Sequence, residues 1–550
     1  MGYLSDVRKI REKKRALKMA QTENQLARTK ANTIMLELQQ ETAQRFVNTG
    51  YSHGGASTTE TWAKEYQSES LSPKSDIELN RKILRERTRD LAMNAPIATA
   101  AINSTRTSCI GSGLVPKPKI DYEFLGISKE DAVQLQRRIK KEFALWAETT
   151  LCDTCDLNNF YELQQIAFND WLKNGEEFVL LEYGEKLEYM PYQLRLKLVS
   201  ADRVSTPDSI DGDYDGYDKE LDNGNTIMNG VEIDSKGKVT AYYICSNFPG
   251  EYSARIPKWQ RIEKRGSRTG NPNILHVFNA EIAEQYRGVP FLAPVITAIK
   301  QVTRYTEAEI MAAVINSLFA LFVSTEDGDD IKGFGGEYEE DSEWSAAVPG
   351  QNNNEDELRL GSGIINFLKK GEKVEAVESK HPAGNYDSFV QSMASMIGAA
   401  LEISPEVLTK KFTNNFSASK GALNETWRSF MMRRKWFVND FCQQVYELWL
   451  AEAVSRGRIS APGFFTDPLI KRAYTNATWT GPAQGCLNPA QEVTAAVTRI
   501  ENGLSTHEDE CAAMNGSDFE DNVRTLANEN EKLAEADRVR SREEERTGNA

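Results

Sequence analysis

The residues with the most chemical potential in this sequence are a set of aspartates. Residues 211–222 read DGDYDGYDKELD. Asp211, Asp213 and Asp215 alternate, Gly216 follows, and Asp222 stands where a calcium loop would close. Hard cations take such carboxylate oxygens, and a glycine at the sixth position permits the sharp turn. Two features weigh the other way. The closing residue is Asp rather than a bidentate Glu, and the flanking segments read as strands rather than helices. A calcium site and an acidic surface loop both stand as readings. Cys152-x-x-Cys155 is a second candidate, but zinc needs a second pair or histidines at suitable spacing.

Other chemistry lacks its motif. A phosphate cradle needs G-x-x-x-x-G-K-[ST], and the nearest Gly-Lys, Gly237-Lys238, is followed by Val239. The four histidines, His53, His276, His381 and His507, form no H-E-x-x-H, and no G-x-S-x-G elbow is present. No catalytic, cofactor or metal residue is assigned, and the chain is not expected to be an enzyme.

The 550 residues exceed what one core usually serves, so two or more structural regions are expected. The net charge of -15 argues against a protein that grips nucleic acid through a basic footprint. It is compatible with a surface that DNA slides past. Seven scattered cysteines do not suggest a disulfide framework, and a reducing compartment is expected. No secretory signal opens the chain. The longest apolar stretch, residues 308–323, is interrupted by Glu309 and Asn316. It falls short of the ~20 residues of a membrane span and reads as a buried helix.

The elements that must position any site are set by periodicity and punctuation. Residues 1–47 read as a basic helical arm and 52–74 as a polar linker. Helices are expected over 76–93, where Asn94 and Pro96 mark the end, over 128–146, capped by Ser128, and over 161–174. Strands come next in GEEFVLLEYG and QLRLKLVSADRV, and NGVEIDSKGKVTAYYIC reads as a hairpin turning at Ser235-Lys236-Gly237. Apolar residues recur at helical spacing from Pro294 to Val323 and again from Tyr386 to Leu401. Between them, residues 326–359 carry twelve Asp/Glu against two Lys/Arg. Residues 408–417 read as a loop, and a long helix runs from a Ser419 cap to about Ser455. Asn488, Pro489 and Gly503 bound another helix, and a last one spans 518–545.

These segments, in this order, resemble the lambda-type family of tailed-phage portal proteins. Four stretches carry the resemblance: RTRDLAMNAPIATAAINSTRTSCIGSGL (87–114), HVFNAEIAEQYRGVPFLAPVI (276–296), FSASKGALNETWRSFMMRRKWFV (416–438) and NPAQEVTAAVTRIENGLSTHEDECAAMNGSDFEDN (488–522). The family implies an α+β subunit of a ring, usually dodecameric, at one capsid vertex. On that scheme residues 1–74 are an arm and linker and 75–290 a mixed α/β wing. Residues 291–323 are the first stem helix, 324–384 an acidic clip domain and 385–406 the second stem helix. Residues 407–419 are a tunnel loop, 420–486 a long helix with the return to the wing, and 487–550 a helical crown. The resemblance makes Lys410 and Lys411 candidates for the DNA channel. It further implies non-specific contact with double-stranded DNA, a clip that docks the terminase large subunit and later head-completion or neck proteins, and a wing that meets the major capsid or scaffolding protein. The virion is the expected location, after assembly in the host cytoplasm. The alternative is a nucleic-acid-processing enzyme of the packaging apparatus. Arg428, Arg433, Arg434 and Lys435 are read as facing acidic neighbours in adjacent subunits, or phosphates.

Overall fold

The computed structural model describes residues 71–207, 219–248, 256–317, 321–323, 365–367, 386–412, 416–485 and 488–548, with isolated positions before residue 71. The chain divides into two units, Met1–Leu71 and Ser72–Ala550. The second unit holds every element named below. The basic arm, nearly all of the acidic stretch and the 211–218 aspartates lie outside the described residues.

Helix α1 (Arg81–Asn94) stops at Ala95, whose extended backbone suits the position before a proline. Pro96 ends α1 and also opens α2 (Pro96–Cys109). A proline at the first helical position gives up an amide that would have no partner there. Punctuation read from sequence stops at this proline and does not reveal α2. Helix α3 (Lys129–Ala147) starts where Ser128 accepts from the Asp131 amide. Helix α4 (Phe160–Asn174) starts in a reciprocal Asn159–Glu162 capping box, and Gly175 ends it at φ 85°.

The next segment supplies a three-stranded antiparallel sheet, with β2 (Glu176–Tyr183) between β3 (Leu194–Val199) and β9 (Ile274–Phe278). A five-stranded antiparallel meander holds β4 (Lys219–Glu220), β5 (Thr226–Met228), β6 (Val231–Ile233), β7 (Val239–Cys245) and β8 (Trp259–Glu263). The expected hairpin joins β6 to β7. Asp234 accepts from the Lys236 and Lys238 amides, and Gly237 takes φ 80°.

Helix α5 (Ile296–Ser317) is shorter than its apolar pattern predicts. Residues Leu321–Val323 form strand β10, paired in parallel with β11 (Ile365–Phe367). A short apolar run fits strand or helix, and a partner beyond the acidic stretch decides it. Helix α6 (Tyr386–Leu401) packs on α5 through the stacked pair Tyr305–Tyr386 and a hydrogen bond between Thr306 and Tyr386 hydroxyls. A turn, α7 (Pro405–Thr409), precedes α8 (Phe416–Phe437), which runs through a π segment, Val438–Cys442, into α9 (Gln443–Ser455). Helix α10 (Pro468–Thr475) leads to β12 (Ala477–Thr480), which pairs antiparallel with β1 (Val115–Pro118). The chain closes with α11 (Pro489–Glu501), α12 (His507–Met514) and α13 (Phe519–Gly548).

The main core lies where α3, α4 and the α8–α9 rod meet. Phe143 stands edge-on to Trp449 at 5.0 Å and to Phe160 at 5.7 Å. Trp146 is buried there, and its indole donates to the Leu194 carbonyl at 3.0 Å, which ties helix to sheet. No helix among the described residues is long and apolar enough to cross a membrane.

Candidate channel-lining site

The segment after α6 is shaped by close backbone approach. A Cβ on Gly398 would lie 2.4 Å from the Ile403 carbonyl oxygen, and the Ile403 amide donates to Gly398 at 2.9 Å. Glu402 takes φ 58° to make that turn. Ser404 caps α7, and its amide donates to Thr426 Oγ1 at 2.8 Å, which ties the turn to α8. Leu408 is buried. Residues 408 and 409, expected from sequence as loop, therefore end a helical turn, because Ser404 and Pro405 nucleate it and Leu408 anchors it. Ser419 is likewise inside α8, which begins at Phe416.

Lys410 and Lys411 are exposed. Lys410 adopts a left-handed backbone, φ 54°, a conformation uncommon for a residue with a side chain. Among the described residues it has no ion pair. Lys411 Nζ reaches both carboxylate oxygens of Asp387 at 3.1 Å, so it ties the loop to the first turn of α6. Both partners face solvent, and such a pair contributes about 0–1 kcal/mol. Phe412 beside them is exposed as well. The arrangement offers one free cation, one weakly held cation and an aromatic ring among the described residues, with no group poised for bond making.

The arginines of α8 are used differently from the sequence expectation. Arg434 donates to the carbonyls of Ser108, Cys109 and Pro482 at 2.7–2.8 Å and lies over the Trp427 ring. Arg433 pairs with Glu402 at 3.0 Å, donates to the Leu401 carbonyl and lies over Phe291. Burial lowers both guanidinium pKa values. These two residues fasten the loop and the α2 terminus to α8 within one chain. Arg428 is freely exposed, and among the described residues it pairs only with Glu425 one turn away.

The densest electrostatics lies elsewhere, at a position that no motif marks. Glu176, the first residue of β2, is fully buried. It accepts from Arg287 Nε at 2.9 Å and Nη2 at 2.6 Å, from the Gly288 amide at 3.0 Å and from Arg81 at 3.2 Å. Its other neighbours are His276 Nε2 at 3.0 Å and Arg85 at 3.5 Å. Arg287 also donates to the carbonyls of Ala201 and Val204, each at 3.0 Å, and of Asn229. Two glycines allow this convergence: a Cβ on Gly288 would sit 2.0 Å from the Gly175 oxygen. Burial alone would raise the Glu176 carboxyl, but Arg287, His276 and Arg81 outweigh it and hold it well below the usual range. Glu177 points to the other side of the strand. Burial, with Asp170 and Glu176 nearby, pushes its carboxyl well above that range. Burial lowers His276 against the opposing pull of Glu176. Glu176 is matched by several cations, so the cluster fastens α1, both sheets and the 285–288 segment to one another. The sequence signal is slight: two adjacent acids followed by the apolar run at residues 178–181.

Of the metal candidates, Cys152 is buried and Cys155 exposed. Asp153 organises that turn by accepting from the amides of Cys155, Leu157 and Asn158. No metal-holding group of three or more His, Cys, Asp or Glu occurs among the described residues. The calcium reading of Asp211, Asp213, Asp215 and Asp222 turns on residues outside them, apart from Asp222.

Known proteins resemble this chain over most of its length. A family model described as phage portal protein, lambda family, matches residues 59–434. The portal protein of Escherichia phage N15 is 25% identical over 452 residues, which span 78% of this chain and 81% of that protein. Portal protein B of Escherichia phage lambda is also 25% identical over 452 residues, spanning 78% and 80%. A solved chain from the virion of a native gene transfer agent particle is similar over 80% of this chain and 94% of its own length, with 11% identity and a TM-score of 0.35.

Proposed function

The chain belongs to the lambda family of phage portal proteins and serves as a portal protein; from that premise we propose that copies of it close into a ring, dodecameric, at the portal vertex of a capsid assembled in the host cytoplasm. Double-stranded DNA enters and leaves through the ring. The role is mechanical: no catalytic step is assigned, and pumping belongs to a separate terminase. The observation that carries this reading is the family match across residues 59–434, two thirds of the chain.

The parts are proposed to divide the work. Residues 75–290 form the wing and meet the major capsid or scaffolding protein. Helices α5 and α6, packed through Tyr305 and Tyr386, are the stem. The acidic stretch between them is the clip and docks the terminase large subunit, then head-completion or neck proteins. Lys410 and Lys411 belong to the tunnel loop and touch DNA phosphates weakly. Helices α11, α12 and α13 make the crown. An acidic chain with few cations at its loop favours sliding over grip.

Negative-stain imaging with native mass measurement of the purified protein tests the reading. Rings with a central hole are expected, and a stable monomer at high concentration would overturn it. The double substitution Lys410→Ala with Lys411→Ala is expected to leave rings intact while lowering packaged or retained DNA. Loss of rings in that variant would show the loop to be misassigned.

A further inference from the structure

One face of α3 carries cations that have no ion pair among the described residues. Arg137, Arg138 and Lys141 are exposed or half-exposed. With Gln134, Leu145 and Arg458 they line an open groove of about 560 Å³. Glu142 is the only acid among its lining residues, and its carboxylate is occupied. Arg458 donates to it at 2.7 and 2.8 Å, and the Tyr192 hydroxyl donates at 2.8 Å. Arg137, Arg138 and Lys141 form no ion pair among the described residues. Like charges within one helical turn repel, and among the described residues no acid offsets that cost.

Acids without an ion pair among the described residues occur on the same chain, and two of them, Glu531 and Glu535, lie one turn apart on one face of α13. Helix α13 exposes Glu529, Glu531 and Glu535, which likewise have no ion pair among the described residues. Leu526 and Leu533 between and beside them are exposed too. The start of α13 is fastened to α3 and its surroundings: Lys140 pairs with Asp521 at 2.6 Å and Lys117 with Asp518 at 3.4 Å. Cations of α3 thus already take α13 carboxylates within one copy. Lys141, the next residue after Lys140, and its neighbours Arg137 and Arg138 are left for another.

We propose that the α3 groove of one copy receives the acidic stretch of α13 from the adjacent copy. The two surfaces differ, so the contact is head-to-tail, the kind that builds a ring when the rotation between neighbours closes. The proposal rests on the ring reading above and adds the residues that join neighbours. Complementary charges of this kind steer association and are screened by salt.

The test is charge reversal in the full chain, with assembly followed by mass photometry at low and high salt. Arg137→Glu, Arg138→Glu and Lys141→Glu together should slow assembly by about tenfold or more at low salt, and so should Glu529→Lys, Glu531→Lys and Glu535→Lys together. Combining both sets should restore assembly to the wild-type level, which a variant that merely misfolds could not do. A combined variant no better than either set overturns the contact while leaving the ring reading intact. A wild-type chain that never forms rings overturns the ring reading and this contact with it. Reversal of the α3 cations that abolishes binding of a double-stranded DNA fragment, with assembly unchanged, assigns the groove to nucleic acid and also overturns the proposal.

Discussion

Arg287→Met is the most demanding test of how this subunit is held together. The guanidinium is buried, donates twice to Glu176, and satisfies the carbonyls of Ala201, Val204 and Asn229. It also lies over the Phe178 ring at 5.3 Å. Methionine fills much of the volume but leaves Glu176 with Arg81, Arg85, His276 and the Gly288 amide, and removes the guanidinium donor from three carbonyls. Removing one partner of a buried ion pair costs about 3–5 kcal/mol. Each stranded carbonyl costs about 1–3 kcal/mol before relaxation, so the total should lie at or above the upper end of the ion-pair range. Hydrogen exchange by mass spectrometry gives the readout. Protection should fall first around residues 201–205 and 229–230 and at the start of β2, while the Phe143–Trp449 core stays protected. The pH dependence has a defined sign. A carboxyl depressed in the native state stabilises above its ordinary value of 4.5 and loses that contribution as pH falls through the native value. Arg287 supplies the largest lowering influence on Glu176, so the acid-unfolding midpoint of Arg287→Met should move to higher pH. A cost below about 1 kcal/mol, within the range of an ordinary exposed pair, with the acid midpoint unmoved, would refute the fastening role.

Four further predictions rest on local geometry elsewhere in the fold and at Gly288. Burial pushes Asp440 in the π segment up to about 6 from 3.8, so its contribution is present below 3.8 and lost as pH rises through 6. Asp440→Asn should therefore raise the melting temperature at pH 8 and leave it nearly unchanged at pH 4, as read by differential scanning fluorimetry. Gly288→Ala forces a Cβ against backbone and should cost about 3 kcal/mol. Gly421→Ala, in open space inside α8, should stabilise by about 0.5–1 kcal/mol, and urea titration distinguishes the two. Among the described cysteines, Cys155 should react with a thiol reagent in the native protein, whereas Cys109 and Cys152, each pushed up to about 12 by burial, should react only on unfolding.

What can be read from sequence is local, and what cannot is a matter of partners. Ser128, the Asn159–Glu162 box and the Asp234–Gly237 turn satisfy backbone groups within a few residues, so their signals sit in the sequence itself. Helix α2 escapes such a reading because Pro96 serves as stop for one helix and start for the next. Strand β10 escapes it because its partner lies beyond a long acidic insertion. Lys410 and Lys411 stand out only through family resemblance. The left-handed backbone at Lys410 comes at the end of a turn held by Gly398, Ser404 and Thr426 packing together, not by a motif.

Glu176 and Glu177 show where sequence reading runs out. Neighbours in a strand face opposite ways, so one rule of burial cannot serve both. Pairing β2 with β9 sets Phe178 opposite His276 and brings the 285–288 segment alongside, which delivers Arg287 to Glu176. The other face delivers Asp170 near Glu177 instead. One glutamate is held low by three arginines and a histidine, and its neighbour is pushed well above the usual carboxylate range by burial. The difference of a single residue in register decides which is which. A slip of β2 that moved Glu176 into the place of Glu177 would bring Gly175 to the arginines, burying an unmatched carboxylate and leaving three guanidinium groups without an acid. That penalty is how this cluster specifies one register for the sheet, in a region where apolar side chains on both faces would otherwise accept either.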